Sequence, residues 1–493
     1  MKQITIALFL SSLITVSQAQ NSGQKVYAPD ASSEDNFGCS VSLSKEYALI
    51  GAMGADNDVN EDNQTGVAYI FKREENGWIF HQKLSEPELD TYDDFGFTVD
   101  ISENYAVIGA PLTYSGGSAF VYKRTGEQWE RQLILPEYNR SNFGTSVSID
   151  EHQLVVGAPD ARGLGPSWSD QGAAWVFARS VIDGEETWSE VAMIAASDGY
   201  ENGHFGCDVD ISGSYIIAGA WTASADYFGR SAAYIYENED GNWMEDQRLF
   251  PNNMDTTTNH FGKSVSISGT IAAVGAPKEV NEHLATGAVY IFEKGSTGWE
   301  ETAKLVSPDP DTSVFGEFGR SVDLLDQRLL VGAHRAVFVY EKIGQTWHLA
   351  DSIHHDYHNN GQAYHNYGTS ISLSDSTFLV GALDDNDQAS YAGAAHFYGI
   401  RLSPATVISL ENTTEEILAY PNPVRSTLMI KSRTGLKQIL ICDSNGKWLR
   451  TLRVSQSNTF TREIDFSVFE RGMYVVGIVD QDNNLEAVKV MKY

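Results

Sequence analysis

One phrase, repeated with small changes, constrains this chain more than any other feature. Residues 36–52 read NFGCSVSLSKEYALIGA, and the same order returns as DFGFTVDISENYAVIGAP, NFGTSVSIDEHQLVVGAP, HFGCDVDISGSYIIAGA, HFGKSVSISGTIAAVGAP, EFGRSVDLLDQRLLVGA and NYGTSISLSDSTFLVGA. The aromatic positions are Phe37, Phe95, Phe143, Phe205, Phe261, Phe318 and Tyr367, so seven copies recur every 48 to 62 residues. A period of that size marks a unit that cannot bury its apolar face alone and must pack against its neighbours.

Within each copy side-chain character alternates with period two, which predicts a strand. Phe37, Cys39, Val41 and Leu43 share one face and Ser40 and Ser42 the other; Phe95, Phe97, Val99 and Ile101 stand against Thr98 and Asp100. The second face stays small (Ser146 and Ser148, Asp208 and Asp210, Ser264 and Ser266), which leaves room for a neighbouring sheet. A tight turn leads to the Gly-Ala strand, a third strand follows (GVAYIF from Gly66 and its counterparts), and Trp78, Trp129, Trp188, Trp243, Trp299 and Trp347 open a fourth. Four antiparallel strands, seven times over, predict an all-β chain with a seven-bladed β-propeller across residues 20–400. The seventh copy has no Trp strand. Residues 24–30, where Val26-Tyr27-Ala28-Pro29-Asp30 matches Leu133-Ile134-Leu135-Pro136-Glu137, are expected to supply it beside His396 and remove two open sheet edges.

The phrase resembles FG-GAP repeats, the units of the integrin α-subunit propeller, over residues 24–400. Calcium-binding members of that family insert an acidic loop between the FG and GAP strands. Here the connection is a tight turn in every copy (SKEY, SENY, DEHQ, SGSY, SGT, LDQR, SDST), too short for a cage of several oxygens, so those calcium sites are not carried over.

After a polar linker at 401–416 the composition changes. Tyr420-Pro421-Asn422-Pro423, Asp443-Ser444-Asn445-Gly446-Lys447, Ile464-Asp465-Phe466-Ser467 and Gly472-Met473-Tyr474 precede a final strand ending in Lys492, and Asn445-Gly446 marks a two-residue hairpin. In this order they resemble the type A sorting domain of the type IX secretion system. The resemblance implies a small immunoglobulin-like β-sandwich over 417–493, recognised by the secretion machinery at the outer membrane of a Gram-negative bacterium. At the other end, Lys2, the apolar run from Ile4 to Val16 and Ser17-Gln18-Ala19 have the form of a signal peptide over residues 1–19, with cleavage between Ala19 and Gln20. No later segment reaches the roughly 20 apolar residues of a membrane helix. The formal net charge of −32 argues against nucleic acid or anionic lipid as a partner. Cys39 and Cys207 hold equivalent positions in copies one and four, too far apart in a ring for a disulfide, and are expected in the core, as is Cys442 in its own domain.

The strand order places the loops after Gly-Ala and those before FG on one face, the top, where they are long and varied. Trp168 and Trp221 fall there, outside the repeated Trp position, and are the candidate contacts for an extracellular glycan or protein. Asp56, Asp58, Asn60 and Asp62 present oxygens at alternate positions, as at the start of a calcium loop, but Glu61 occupies the turn-glycine position. Asp384, Asp385 and Asp387, with Asp90, Asp93 and Asp94, extend a cation-attracting rim. His354, His355, His358 and His365 are the densest imidazole cluster, without ordered metal spacing. No nucleophile elbow, zinc-binding pair or phosphate loop occurs. The expectation is a non-enzymatic binding or adhesion propeller, secreted or held at the outer-membrane surface. Its rivals are an enzyme acting on extracellular polysaccharide through two carboxylates in a cleft, and a structural surface component.

Overall fold

The FG pair forms the corner of a β-turn. In each of the seven copies the amide after the glycine donates to the carbonyl of the residue before the aromatic, as in Cys39 N to Asn36 O (3.1 Å) and Phe97 N to Asp94 O (3.0 Å). The seven glycines have φ between 81° and 94°, the value that the third residue of a type II turn requires and that a side chain resists. This turn corrects the simple alternation expected for the strand. Phe95 is wholly buried, but Phe97 is turned out to 37% exposure, because regular pairing in that blade starts only at Thr98.

The computed structural model describes residues 23–400 apart from 58–63, 115, 136–140, 163–170, 200, 222–230, 253–258, 282–284, 309–315 and 356–365, and then 417–420, 427–432, 436–443, 448–453, 461–469, 472–480 and 485–492. Blade one is the antiparallel sheet Phe37–Leu43, Tyr47–Ala52, Val67–Glu74 and Gly77–Leu84, in chain order from the inner strand outward. Five more blades repeat that order. Blade seven takes three strands from the end of the ring, Tyr367–Leu373, Thr377–Ala382 and Ala394–Gly399, and its outer strand from Gln24–Val26. Lys25 pairs with His396 and Val26 with Ala395, so the closing strand lies where the sequence places it, although it ends at Val26 rather than Asp30.

Gln24 repeats a contact made elsewhere in the ring. Its side-chain amide donates to Trp78 O (2.6 Å) and accepts from Trp78 N (2.7 Å), as Gln82 does with Trp129 and Gln247 with Trp299. A second closure explains the glycine of Gly-Ala. A Cβ on Gly51 would lie 2.0 Å from the Gly96 carbonyl oxygen of the next blade, and one on Gly381 would lie 2.0 Å from that of Gly38, where blade seven meets blade one. Apolar side chains fill the wedges between blades. At the seven-to-one junction Phe37, Val41, Leu43 and Ile50 pack with Val26, Leu379 and Phe397, each side chain contributing about 1.5–3 kcal/mol relative to exposure.

The C-terminal segment is a two-sheet sandwich. Strands Ile417–Tyr420, Thr427–Ser432 and Thr461–Asp465 form one sheet, and Leu436–Asp443, Trp448–Arg453, Gly472–Asp480 and Leu485–Lys492 the other. Leu428, Ile430, Ile439, Ile441, Ile464 and Val490 make its core. Buried Tyr474 joins them, its ring 5.7 Å from Phe466 and 5.4 Å from Phe469. Asp443 pairs through its backbone with Tyr474, and Gly472 opens the strand that carries Tyr474. Pro421, Asn422, Pro423, Gly446, Lys447, Ala19 and Gln20 lie outside the described residues.

Candidate ligand-binding face

Hydrogen bonds assign the loops to two faces. Loops after Gly-Ala bond to loops before FG in the same blade, as in Gly54 N to Asp35 O (3.1 Å), Asp160 N to Ser141 O (3.3 Å), Lys278 N to Asn259 O (3.1 Å) and His334 N to Gly316 O (2.8 Å). The tight turns lie at the other end, each accepting from the third strand of its blade, as in Arg73 N to Glu46 O and Lys294 N to Thr270 O (2.8 and 2.9 Å). The top face therefore collects the varied loops, as the strand order predicts.

Trp221 sits on that face at the position after Gly-Ala, where three other blades have Pro111, Pro159 and Pro277. The indole is half-buried. His260 of the next blade lies 4.6 Å from it, centroid to centroid, His204 meets it edge-on at 6.0 Å, and the Lys263 ammonium stands 4.6 Å over the ring. Burial pushes the His260 imidazole below its ordinary value, and Lys278 and Lys263 push it further. One blade on, burial disfavours the Glu317 carboxylate, but Lys278 (2.6 Å), Arg320 (3.5 Å) and His334 outweigh that and hold it below the usual range. None of these cross-blade neighbours is adjacent to Trp221 in sequence, and only its place in the repeat register could have foretold them. Trp168 lies outside the described residues.

The acidic candidates serve mainly to fasten loops. Asp56 accepts Gln64 N at 2.7 Å across its own loop, while Asp58, Asn60 and Asp62 lie outside the described residues. Asp385 and Asp387 grip Lys25 at 2.5 and 2.6 Å and so anchor the closing strand, Asp385 buried and Asp387 exposed on the rim. Asp94 is pushed up to about 6 by burial and by Asp93, whose carboxylate accepts Asp90 N at 2.7 Å. Among the described residues no group of three His, Cys, Asp or Glu is placed to hold a metal. The His355 ring packs 4.9 Å from Tyr367 and 5.4 Å from His396, whose imidazole is pushed down to about 3 by burial; His358 and His365 are outside the described residues. Cys39 and Cys207 are thiols only partly enclosed, each directed at the FG-glycine carbonyl of the next blade (3.2 and 3.4 Å), and burial pushes both up to about 12. The Cys442 side chain is outside the described set.

The inner strands also build a ring that the sequence reading treated only as small residues. Ser42, Asp100, Ser148, Asp210, Ser266, Asp323 and Ser372 each accept one backbone amide of the following blade, at 2.6–3.2 Å, from Leu43 N on Ser372 round to Leu373 N on Asp323. Serine hydroxyls link its members, Ser42 to Asp100 (2.6 Å) and both Ser148 and Ser266 to Asp210 (2.9 and 2.8 Å). Burial, with the other ring carboxylates adding to it, pushes Asp323 up to about 8; burial likewise pushes Asp210 up to about 6 and raises Asp100. The signal was present in the sequence as a Ser/Asp alternation at one fixed register. Each bond spans a whole repeat, which is why periodicity within a copy did not reveal it.

Comparison with known proteins agrees with this architecture. A family model described as the FG-GAP repeat matches residues 21–71, 78–122, 188–236 and 243–292, and one described as the secretion system C-terminal sorting domain matches 418–492. The chain is an FG-GAP-repeat seven-bladed propeller carrying a C-terminal sorting domain of the type IX secretion system. It is a secreted or outer-membrane-surface protein that engages the secretion machinery through that domain, and no helix among the described residues is long and apolar enough to cross a membrane. No curated protein matches the sequence. Among solved structures, a candidate 6-phosphogluconolactonase from Bacteroides uniformis aligns at 11% identity and TM-score 0.44, over 65% of this chain and 86% of its own. Chaetomium thermophilum Sqt1 aligns at 13% and 0.44, over 76% and 89%. The extracellular domain of a candidate hybrid two-component system from B. thetaiotaomicron aligns at 12% and 0.42, over 94% and 53%. Likeness of this degree says nothing about ligand or activity.

Proposed function

We propose that the exported chain is a non-enzymatic binding propeller that takes an extracellular glycan or protein onto its top face, with Trp221 as the contact residue. The observation that carries this reading is the exchange of a repeated proline for a half-buried indole on a rigid rim. An indole offers a large contact area with little rotamer freedom to lose, and sugar rings and protein side chains both pack on it. The ring fold supplies the fixed scaffold on which varied loops acquire specificity. A glycan array probed with the wild-type chain and with Trp221→Ala tests it. The expected result is a wild-type signal that falls at least tenfold in the variant; equal signals remove Trp221 as the contact, and a blank array removes the glycan.

A further inference from the structure

We infer that the ligand taken at Trp221 is an acidic saccharide, a sugar polymer bearing carboxylate or sulfate groups. This deepens the binding proposal and rests on Trp221 being a contact. Its basis is the way charge is distributed around the mouth of the ring. The residues after FG are, in blade order, Cys39, Phe97, Thr145, Cys207, Lys263, Arg320 and Thr369. Only two are charged, both are cations, and they are neighbours. The chain as a whole has 66 acidic against 34 basic residues, so two adjacent cations at this register run against its composition. Lys278 of the loop above adds a third, opposed locally by Glu317. Across the ring, blade two has the uncharged Phe97 at this register.

Lys263 completes the site. It is exposed, it forms no ion pair among the described residues although the Asp208 carboxylate feels its charge, and its ammonium rests over the Trp221 ring at 4.6 Å. A cation on a flexible stem beside an indole offers an anion and an apolar C–H face their separate partners within one sugar residue. Arg320 is committed in part to Glu317 and to Asn366 (3.2 Å), which leaves Lys263 as the cation free to move onto the ligand.

The experiment measures binding of the full chain to polygalacturonate and to its methyl ester, to dextran sulfate and to dextran, and to polyglutamate. The wild type is expected to bind one acidic polymer at least tenfold more tightly than its neutral counterpart and than polyglutamate. That binding should weaken with salt, fall at least tenfold in Trp221→Ala and in Lys263→Gln, and survive in Lys263→Arg; unchanged melting of the variants shows that they fold. Equal or tighter binding of the neutral polymer, lost in Trp221→Ala, overturns the acidic class and keeps the contact residue. Acidic binding that polyglutamate matches, or that Trp221→Ala leaves unchanged, is bare charge attraction and overturns this inference. Failure to bind any of these polymers also overturns it, and a Trp221-dependent signal on the wider array then leaves the binding proposal standing.

Discussion

The inner ring and the top rim are built from the same seven repeats and obey opposite rules. In the inner ring each blade does what its neighbours do: a Gly-Ala glycine meets the next FG carbonyl, and a Ser or Asp accepts the next blade's amide. On the rim equivalent positions diverge, with Met53, Pro111, Pro159, Trp221, Pro277, His334 and Leu383 all following Gly-Ala. Residues bearing the fold are thus recognised by recurrence, and candidates for function by departure from it. Substitutions at the ring should cost stability, and substitutions at the rim should cost binding.

The largest effect is expected at the ring glycines. Gly51→Val puts a branched side chain where even a Cβ lies 2.0 Å from the Gly96 carbonyl, which is backbone and cannot swing away. A loss of roughly 3 kcal/mol or outright failure to fold is expected, as for severe overpacking. Gly399→Ala is the control, since nothing lies within 4 Å of its Cβ. Equal melting temperatures for the two variants would break the distinction between ring and periphery.

Next comes the closing strand. Burial works against the Lys25 ammonium, but its bonds to Asp385 and Asp387 outweigh that and raise its pKa. Lys25→Ala leaves Asp385, whose side chain is 1% exposed, without that cation. Because Lys25 is itself a fifth exposed, the cost is expected below the usual range for a broken buried pair, about 2–3 kcal/mol. Urea unfolding checks it, and Lys25→Ala combined with Asp385→Asn should recover part of the loss. An unchanged midpoint would mean that the ring does not depend on this latch.

These two predictions also show what the sequence could and could not convey. The closing strand was legible because Pro29 stands before Phe37 as Pro87 stands before Phe95, so one repeat indexes another. The blade count was legible because a type II turn and a backbone-to-backbone contact both demand glycine, which makes the phrase recur almost unchanged. The outward turn of Phe97 was not, since the local alternation continues through a corner that only the Asp94–Phe97 hydrogen bond reveals. Nor was the Trp221–His260 contact, or the use of Asp385 to hold Lys25, because each joins parts of the chain that only ring closure brings together.

A smaller effect tests the acidic members of the ring. Burial, with the charges of Asp210 and Asp100 adding to it, pushes the Asp323 carboxyl up to about 8, against 3.8 for an ordinary carboxyl. A raised carboxyl pKa means that the folded state holds the proton more tightly. The group's contribution is therefore fully present below about pH 4 and is lost as pH rises through about 8. Asp323→Asn, which keeps an oxygen for Leu373 N, should stabilise the propeller at pH 9 by on the order of 2 kcal/mol, and by much less at pH 5. Melting curves at the two pH values decide it. A variant less stable than wild type at pH 9 would show that the charged ring is favourable as built.

The smallest effect on stability is expected where the largest effect on binding is proposed. Trp221→Pro restores the residue that blades two, three and five carry at this position, so the backbone there already suits proline. What is lost is the Trp221 amide's bond to the Cys207 sulfur, a weak acceptor, and the packing of the indole on His260. The net change should stay within about 1 kcal/mol, while ligand binding falls as far as in Trp221→Ala. Blade one pairs Cys39 in the same way with the amide of Met53, so Met53→Pro makes the matching change where no indole is lost. If Trp221→Pro unfolds the chain and Met53→Pro does not, Trp221 belongs to the core of the ring rather than to its rim.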